Sequence, residues 1–127
     1  MSPLLRTVVT AMGLGRIALG LAPFVAAGPA SRLLGFPVAH DNPTARLMAR
    51  MFGVRDIGLG VLAFYALAHP DTAAFIFLFN VSMDLGDLAS IAIPLVRRQG
   101  IDRAAIRSAL FALAGALSWL TVWAITR

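Results

Sequence analysis

Four apolar stretches, each long enough to cross a bilayer, take up most of this 127-residue chain. Three of them carry ionisable side chains near their middles: Arg16 in the first, Arg55 and Asp56 in the second, Asp84 and Asp87 in the third. A charged group at the centre of a bilayer costs roughly 2.5–3.5 kcal/mol on insertion scales, and such groups persist where they face one another and not lipid. The pattern therefore predicts an all-α fold, a four-transmembrane-helix bundle with a polar interior, built as one membrane domain over residues 1–127.

Composition agrees. Hydrophobic residues make up 59% of the chain and its mean hydropathy is +0.82, whereas soluble domains hold about 45–50% apolar residues. A soluble domain of this length could not hide so much apolar surface. Cysteine is absent, which removes disulfides, thiolate metal sites and thiol nucleophiles. All eleven basic residues are arginine and all six acids are aspartate, a usage that matches a GC-rich genome such as an actinobacterial one. The net charge of +5 does not point to nucleic acid, because the arginines sit at helix ends or within helices. No cofactor is expected. His40 and His69 fall in loops on opposite sides of the membrane, so no metal site is expected either.

Start and stop signals predict helices over about 3–27, 43–68, 71–93 and 102–126. Ser2-Pro3 and Asn42-Pro43 pair a capping side chain with proline in the first turn. Gly28-Pro29 is expected to end the first helix, Pro94 to close the third, and Asp102 to cap the fourth. A cleavable leader is the less favoured reading of the first stretch, because Arg16 interrupts its apolar run. The interfacial loop 28–42 has room for a short helix over Pro29 to Leu34.

Helical spacing then sorts the faces. Arg46, Arg50, Gly53, Asp56 and Gly60 follow one another at steps of three or four. Asn80, Asp84 and Asp87 share a narrow face of the third helix, with Phe75, Phe77 and Phe79 expected against lipid. Gly13 and Gly20, like Gly53 and Gly60, suit close helix packing. Ser108, Gly115 and Ser118 form a similar small-residue track in the fourth helix, whose Trp119 and Trp123 suit an interfacial aromatic belt. The cluster Gly13-Leu14-Gly15-Arg16 is not a phosphate loop, since no strand precedes it.

At about 1.5 Å of rise per residue, Arg16, Arg55, Asp56, Asp84 and Asp87 fall in one layer between the midplane and one interface. That convergence, joined by Asn80, defines the candidate intramembrane polar network. An excess carboxylate there either takes a proton or pairs with Arg50. Arginine counting sets the orientation. The loops 28–42 and 95–103 collect basic residues, with Arg46, Arg50, Arg97 and Arg98 at that end, so it should face the cytoplasm and both termini should lie outside the inner membrane.

The run Leu33-Leu34-Gly35-Phe36-Pro37, then Ala45-Arg46-Leu47, then Phe52 through Gly60, then Asp84-Leu85-Gly86-Asp87, resembles small four-helix, actinobacterial-like integral membrane proteins of the DUF4267 type. The resemblance implies the four-helix architecture and an arginine–aspartate core, and supplies no activity. Three uses of the network compete: structural glue, a catalytic pocket in which Asp84 and Asp87 serve as acid and base, and recognition of a lipid or a partner subunit. Small membrane terpene cyclases are similar in carrying intramembrane acids, and accessory subunits of lipid-import complexes are similar in size. The expectation is a non-enzymatic accessory or stabilising subunit of a larger membrane assembly, one handling lipid. Its partners would be the bilayer, other membrane subunits, and a lipid or hydrophobic small molecule. The alternative is a small membrane enzyme doing cyclase- or isomerase-like acid–base chemistry on a hydrophobic substrate.

Overall fold

A computed structural model describes all 127 residues as helices joined by short turns, with no strand. The helices are α1 (Pro3–Val25), α2 (Ala27–Leu34), α3 (Pro43–Ala68), α4 (Ala73–Val96) and α5 (Asp102–Thr126). Single 3-10 turns span Val38–His40 and Pro70–Thr72. The segments Pro3–Val25, Pro43–Ala68, Pro70–Val96 and Asp102–Thr126 are long and apolar enough to cross a membrane. Helices of 23 to 26 residues measure roughly 34–39 Å, against about 30 Å of hydrocarbon.

The capping signals work as the residues suggest in two places. Ser2 Oγ accepts from the Leu5 amide at 3.2 Å, and Asn42 Oδ1 accepts from the Ala45 amide at 2.8 Å. Three boundaries differ from expectation. Helix α1 stops at Val25, because Ala26 leaves the helical region, and Gly28-Pro29 lies inside the first turn of α2. Proline is tolerated there, since a first-turn amide has no intrahelical acceptor. Helix α4 continues past Pro94 to Val96, losing a single backbone donor near its end. Asp102 is the first helical residue of α5 and makes no capping bond; Ile101 occupies the cap.

The bundle is two close helix pairs set against each other. Helix α1 lies along α3 and α4 along α5, while fewer residues join the pairs. Glycine permits the first pairing. A Cβ on Gly60 would sit 2.7 Å from the Gly13 carbonyl oxygen. A Cβ on Gly20 or on Gly53 would collide with the carbonyl oxygen of the other. The two crossings are seven residues apart on each helix, so the backbones stay in contact along about two turns. Inside a bilayer this contact is the attraction, since lipid tails are as apolar as leucine.

Helix α5 lies along α4 and buries Ala105, Ala112 and Ala116. The Phe77 and Trp119 rings meet at a tilt of 31° with 5.6 Å between centroids, and both are buried. This corrects two expectations. Phe77 precedes Asn80 by three residues and so shares its inward face, leaving Phe75 and Phe79 outward. Trp119 belongs to the core, and Trp123 alone meets an end group, lying 4.5 Å from the Arg127 guanidinium. The apolar core, with Leu5, Val9, Phe77, Val81 and Trp119, fills the terminal half of the bundle.

Gly53→Ala should destabilise the protein by about 1–3 kcal/mol, the range for overpacking. Gly58→Ala should not, because a Cβ there meets nothing within 4 Å. Thermal unfolding of the two variants in detergent checks this contrast.

Candidate functional site

The spacing that builds the glycine crossings also places the charges. Arg16 stands three residues after Gly13 and four before Gly20; Asp56 stands three after Gly53 and four before Gly60. Because α1 and α3 run antiparallel, the two charges face each other at one level between the crossings. Arg16 Nη1 lies 4.0 Å from Asp56 Oδ1, and both residues are buried.

Arg16 then reaches the other helix pair. Its Nη1 donates to Asp84 Oδ1 at 2.7 Å. Its Nε and Nη2 donate to Asn80 Oδ1 at 3.2 and 3.1 Å. Asn80 is fully buried and donates from Nδ2 to the Ile76 carbonyl at 3.1 Å. Arg55, on the next face of α3, forks onto Asp87: Nη1 to Oδ1 and Nη2 to Oδ2, both at 2.7 Å. Its Nη2 also lies 3.4 Å from Asp56 Oδ1, and the guanidinium sits 4.7 Å from the centroid of the Phe52 ring.

The result is a ladder of alternating sign: Asp84, Arg16, Asp56, Arg55, Asp87. Every short charge contact in it, from Arg16 to Asp84 and from Arg55 to Asp87, joins the α1–α3 pair to the α4–α5 pair. Glycine holds each backbone of the first pair close; charge holds the two pairs together. Paired, hydrogen-bonded ions are the form in which charge is found inside membranes, and the forked Arg55–Asp87 geometry is the strongest of the arginine–carboxylate arrangements.

Two buried polar atoms have no partner, Asp84 Oδ2 and Arg55 Nε. Asp84 Oδ2 points at Gly115 of α5, where a Cβ would come within 2.5 Å. Gly115 is therefore the residue that makes room for the carboxylate. Its presence among small residues was legible in the sequence, but its role opposite Asp84 was not, because nothing in α5 carries a matching charge at that depth. Ser118 of the same track is exposed.

Other candidates lie apart from the ladder. Arg50 is exposed and in no ion pair. Each three-residue step falls about 60° short of a full turn, so the face from Asp56 back through Gly53 has rotated outward by Arg50. The excess carboxylate therefore does not pair with it. Arg97 and Arg98 are exposed after α4, with Arg98 in the left-handed region at φ 51°. Arg46 pairs with Asp41, with Nε on Oδ1 at 2.7 Å and Nη2 on Oδ2 at 3.0 Å. Arg107 donates to the Leu33 carbonyl at 2.9 Å, fastening α5 to the end of α2. His40 and His69 are exposed, in turns at opposite ends of the bundle. A crevice of about 510 Å³ lies nearer the termini between α1 and α5, lined by residues including Leu5, Val8, Met12, Thr121 and Ile125.

The family described as a domain of unknown function, DUF4267, matches residues 13–126, which includes every member of the ladder. No curated protein and no solved structure matches the chain.

Arg16→Met should cost about 3–5 kcal/mol, the range for stranding a buried charge. Adding Asp84→Asn should recover part of that loss, because it removes one of the stranded carboxylates. Reversible unfolding in mixed micelles measures both. At the loop, the Arg46 guanidinium bonded to Asp41 holds that carboxyl below its ordinary 3.8. A carboxyl lowered in the folded state contributes stability that is present above the unfolded value and lost as pH falls through the folded one. The carboxyl-carbon NMR titration of Asp41 should have its midpoint below 3.8, and Arg46→Gln should move that midpoint up.

Proposed function

We propose that this chain, which belongs to the DUF4267 family, is a non-enzymatic accessory subunit that stabilises a larger membrane assembly, one handling lipid. The observation that carries the reading is the commitment of the ladder to itself. Both arginines and all three aspartates are engaged with one another. Asp87 has both oxygens on Arg55, so acid–base chemistry there would first have to open a forked pair. Gly115 backs directly onto Asp84, leaving little space for a substrate beside it. The ladder then serves as an internal brace, and the outward leucines, valines and phenylalanines serve as the contact surface. The open apolar crevice between α1 and α5 supports the lipid part of the reading.

In this reading the protein sits in the inner membrane. The end carrying Arg32, Arg46, Arg50, Arg97, Arg98, Arg103 and Arg107 faces the cytoplasm, and both termini face outward. One observation favours the enzyme reading instead. Asp84 Oδ2 is buried without a donor, so one carboxylate oxygen of the layer is not taken up by the ladder.

Extraction from native membranes in mild detergent, followed by native mass spectrometry, separates the two. The accessory role predicts the chain in fixed stoichiometry with a larger polypeptide. A solitary chain holding a hydrophobic small molecule, with turnover lost in an Asp84→Asn variant that still inserts, overturns it.

A further inference from the structure

The ladder is buried at one end and open at the other. The Arg16, Asp56 and Asp84 side chains are all less than a tenth exposed, whereas Arg55 is 29% and Asp87 24% exposed. Their depth makes that exposure a problem. Arg55 lies twelve residues into the 26-residue α3, roughly 18 Å along a helix of roughly 39 Å. Asp87 lies nine residues before the end of α4, roughly 14 Å from it. Both positions fall inside about 30 Å of hydrocarbon. Ionisable groups at such depth face a bundle interior or a water-filled cavity, and are not left against acyl chains.

The formal charge adds a direction. Two arginines and three aspartates sum to one net negative charge. Space is also free beside the open end. Gly58, three residues on from Arg55, and Gly86, next to Asp87, each meet nothing within 4 Å where a Cβ would stand. Small residues of this kind let a neighbouring helix backbone approach.

We infer that the seam between α3 and α4 is covered in the membrane by a transmembrane segment of another subunit that brings a lysine or arginine to the depth of Arg55 and Asp87. A second copy of this chain is the wrong occupant. It would bring the same excess negative charge to the same depth, and like charges in a low dielectric repel strongly. A lipid amine stays at headgroup level. A cationic side chain on a spanning helix neutralises the ladder and shields its open end at once. The inference rests on the accessory-subunit reading and adds to it a surface and a partner chemistry.

The test places a photo-crosslinking amino acid at Phe52, which is 42% exposed beside the Arg55 guanidinium, or at Phe75, 74% exposed and more than two turns of α4 away from Asp87. Each variant is irradiated in native membranes. The Phe52 position should yield one discrete adduct with a different polypeptide, through a spanning segment carrying a lysine or arginine at mid-depth. Asp87→Asn, which removes the excess charge, should reduce that adduct roughly tenfold or more, whereas Asp41→Asn, outside the spans, should not. Should Asp87→Asn fail to fold, Gly58→Leu, which fills the open space without changing charge, must abolish the adduct. Crosslinking to a second copy, to lipid alone, or to a segment without a basic residue overturns the inference. A heterologous adduct from Phe75 with none from Phe52 leaves the accessory role standing and removes this surface. No heterologous adduct at either position removes both.

Discussion

A charge inside hydrocarbon must find its opposite before it can find anything else, and the architecture of this protein follows from how that requirement is met. Three spans carry charge near their centres, and none can insert at low cost unless its partner is already at the same depth. The solution is the alternating ladder from Asp84 to Asp87. Each arginine lies between carboxylates, so attraction along the ladder acts on both sides of every cation. Asn80 takes two of the Arg16 donors and spends its own amide hydrogen on the backbone of α4. The hydrogen-bonding capacity of the layer is thus largely used within it.

Geometry and charge divide the labour. Within the α1–α3 pair, glycine opposite glycine brings backbones into contact, and dispersion provides the attraction that burial from water provides in soluble proteins. Between the pairs, backbones are farther apart and long arginine side chains bridge the gap. The two devices share one sequence frame, since Arg16 and Asp56 each sit inside a glycine frame of three and four residues. Moving either charge by one position would turn it away from the crossing by about 100°. The tight packing and the ion pairs are therefore set by the same register.

In the accessory reading, function enters where the ladder is incomplete. A closed, neutral ladder would describe a self-sufficient bundle. This one has one carboxylate more than it has arginines, a partly exposed end on α3 and α4, and an unpartnered oxygen beside Gly115. The membership of the chain in the DUF4267 family covers the whole of this arrangement. The accessory reading takes the open end as the place where the protein meets its assembly, and the enclosed end as the brace that keeps that surface rigid.

Much of this was legible residue by residue. The four spans followed from apolar length, the helix starts at Ser2 and Asn42 from capping chemistry, and the shared depth of the charges from helical rise. The glycine pairs could be read as packing sites because glycine mid-helix is otherwise unfavourable. Other features were out of reach. Trp119 has the chemistry of an interfacial residue, and only its contact with Phe77 places it in the core, whereas the three-residue step from Phe77 to Asn80 already sets Phe77 on the inward face. Arg50 precedes Asp56 by two three-residue steps, and their cumulative rotation takes it outside the bundle. What the sequence alone determined was that opposite charges must meet at one depth, because insertion cost depends only on residue type and position along a span. Which carboxylate meets which arginine was decided by tertiary structure, because that depends on how helices from distant parts of the chain are rotated and set against each other, and no local pattern encodes it.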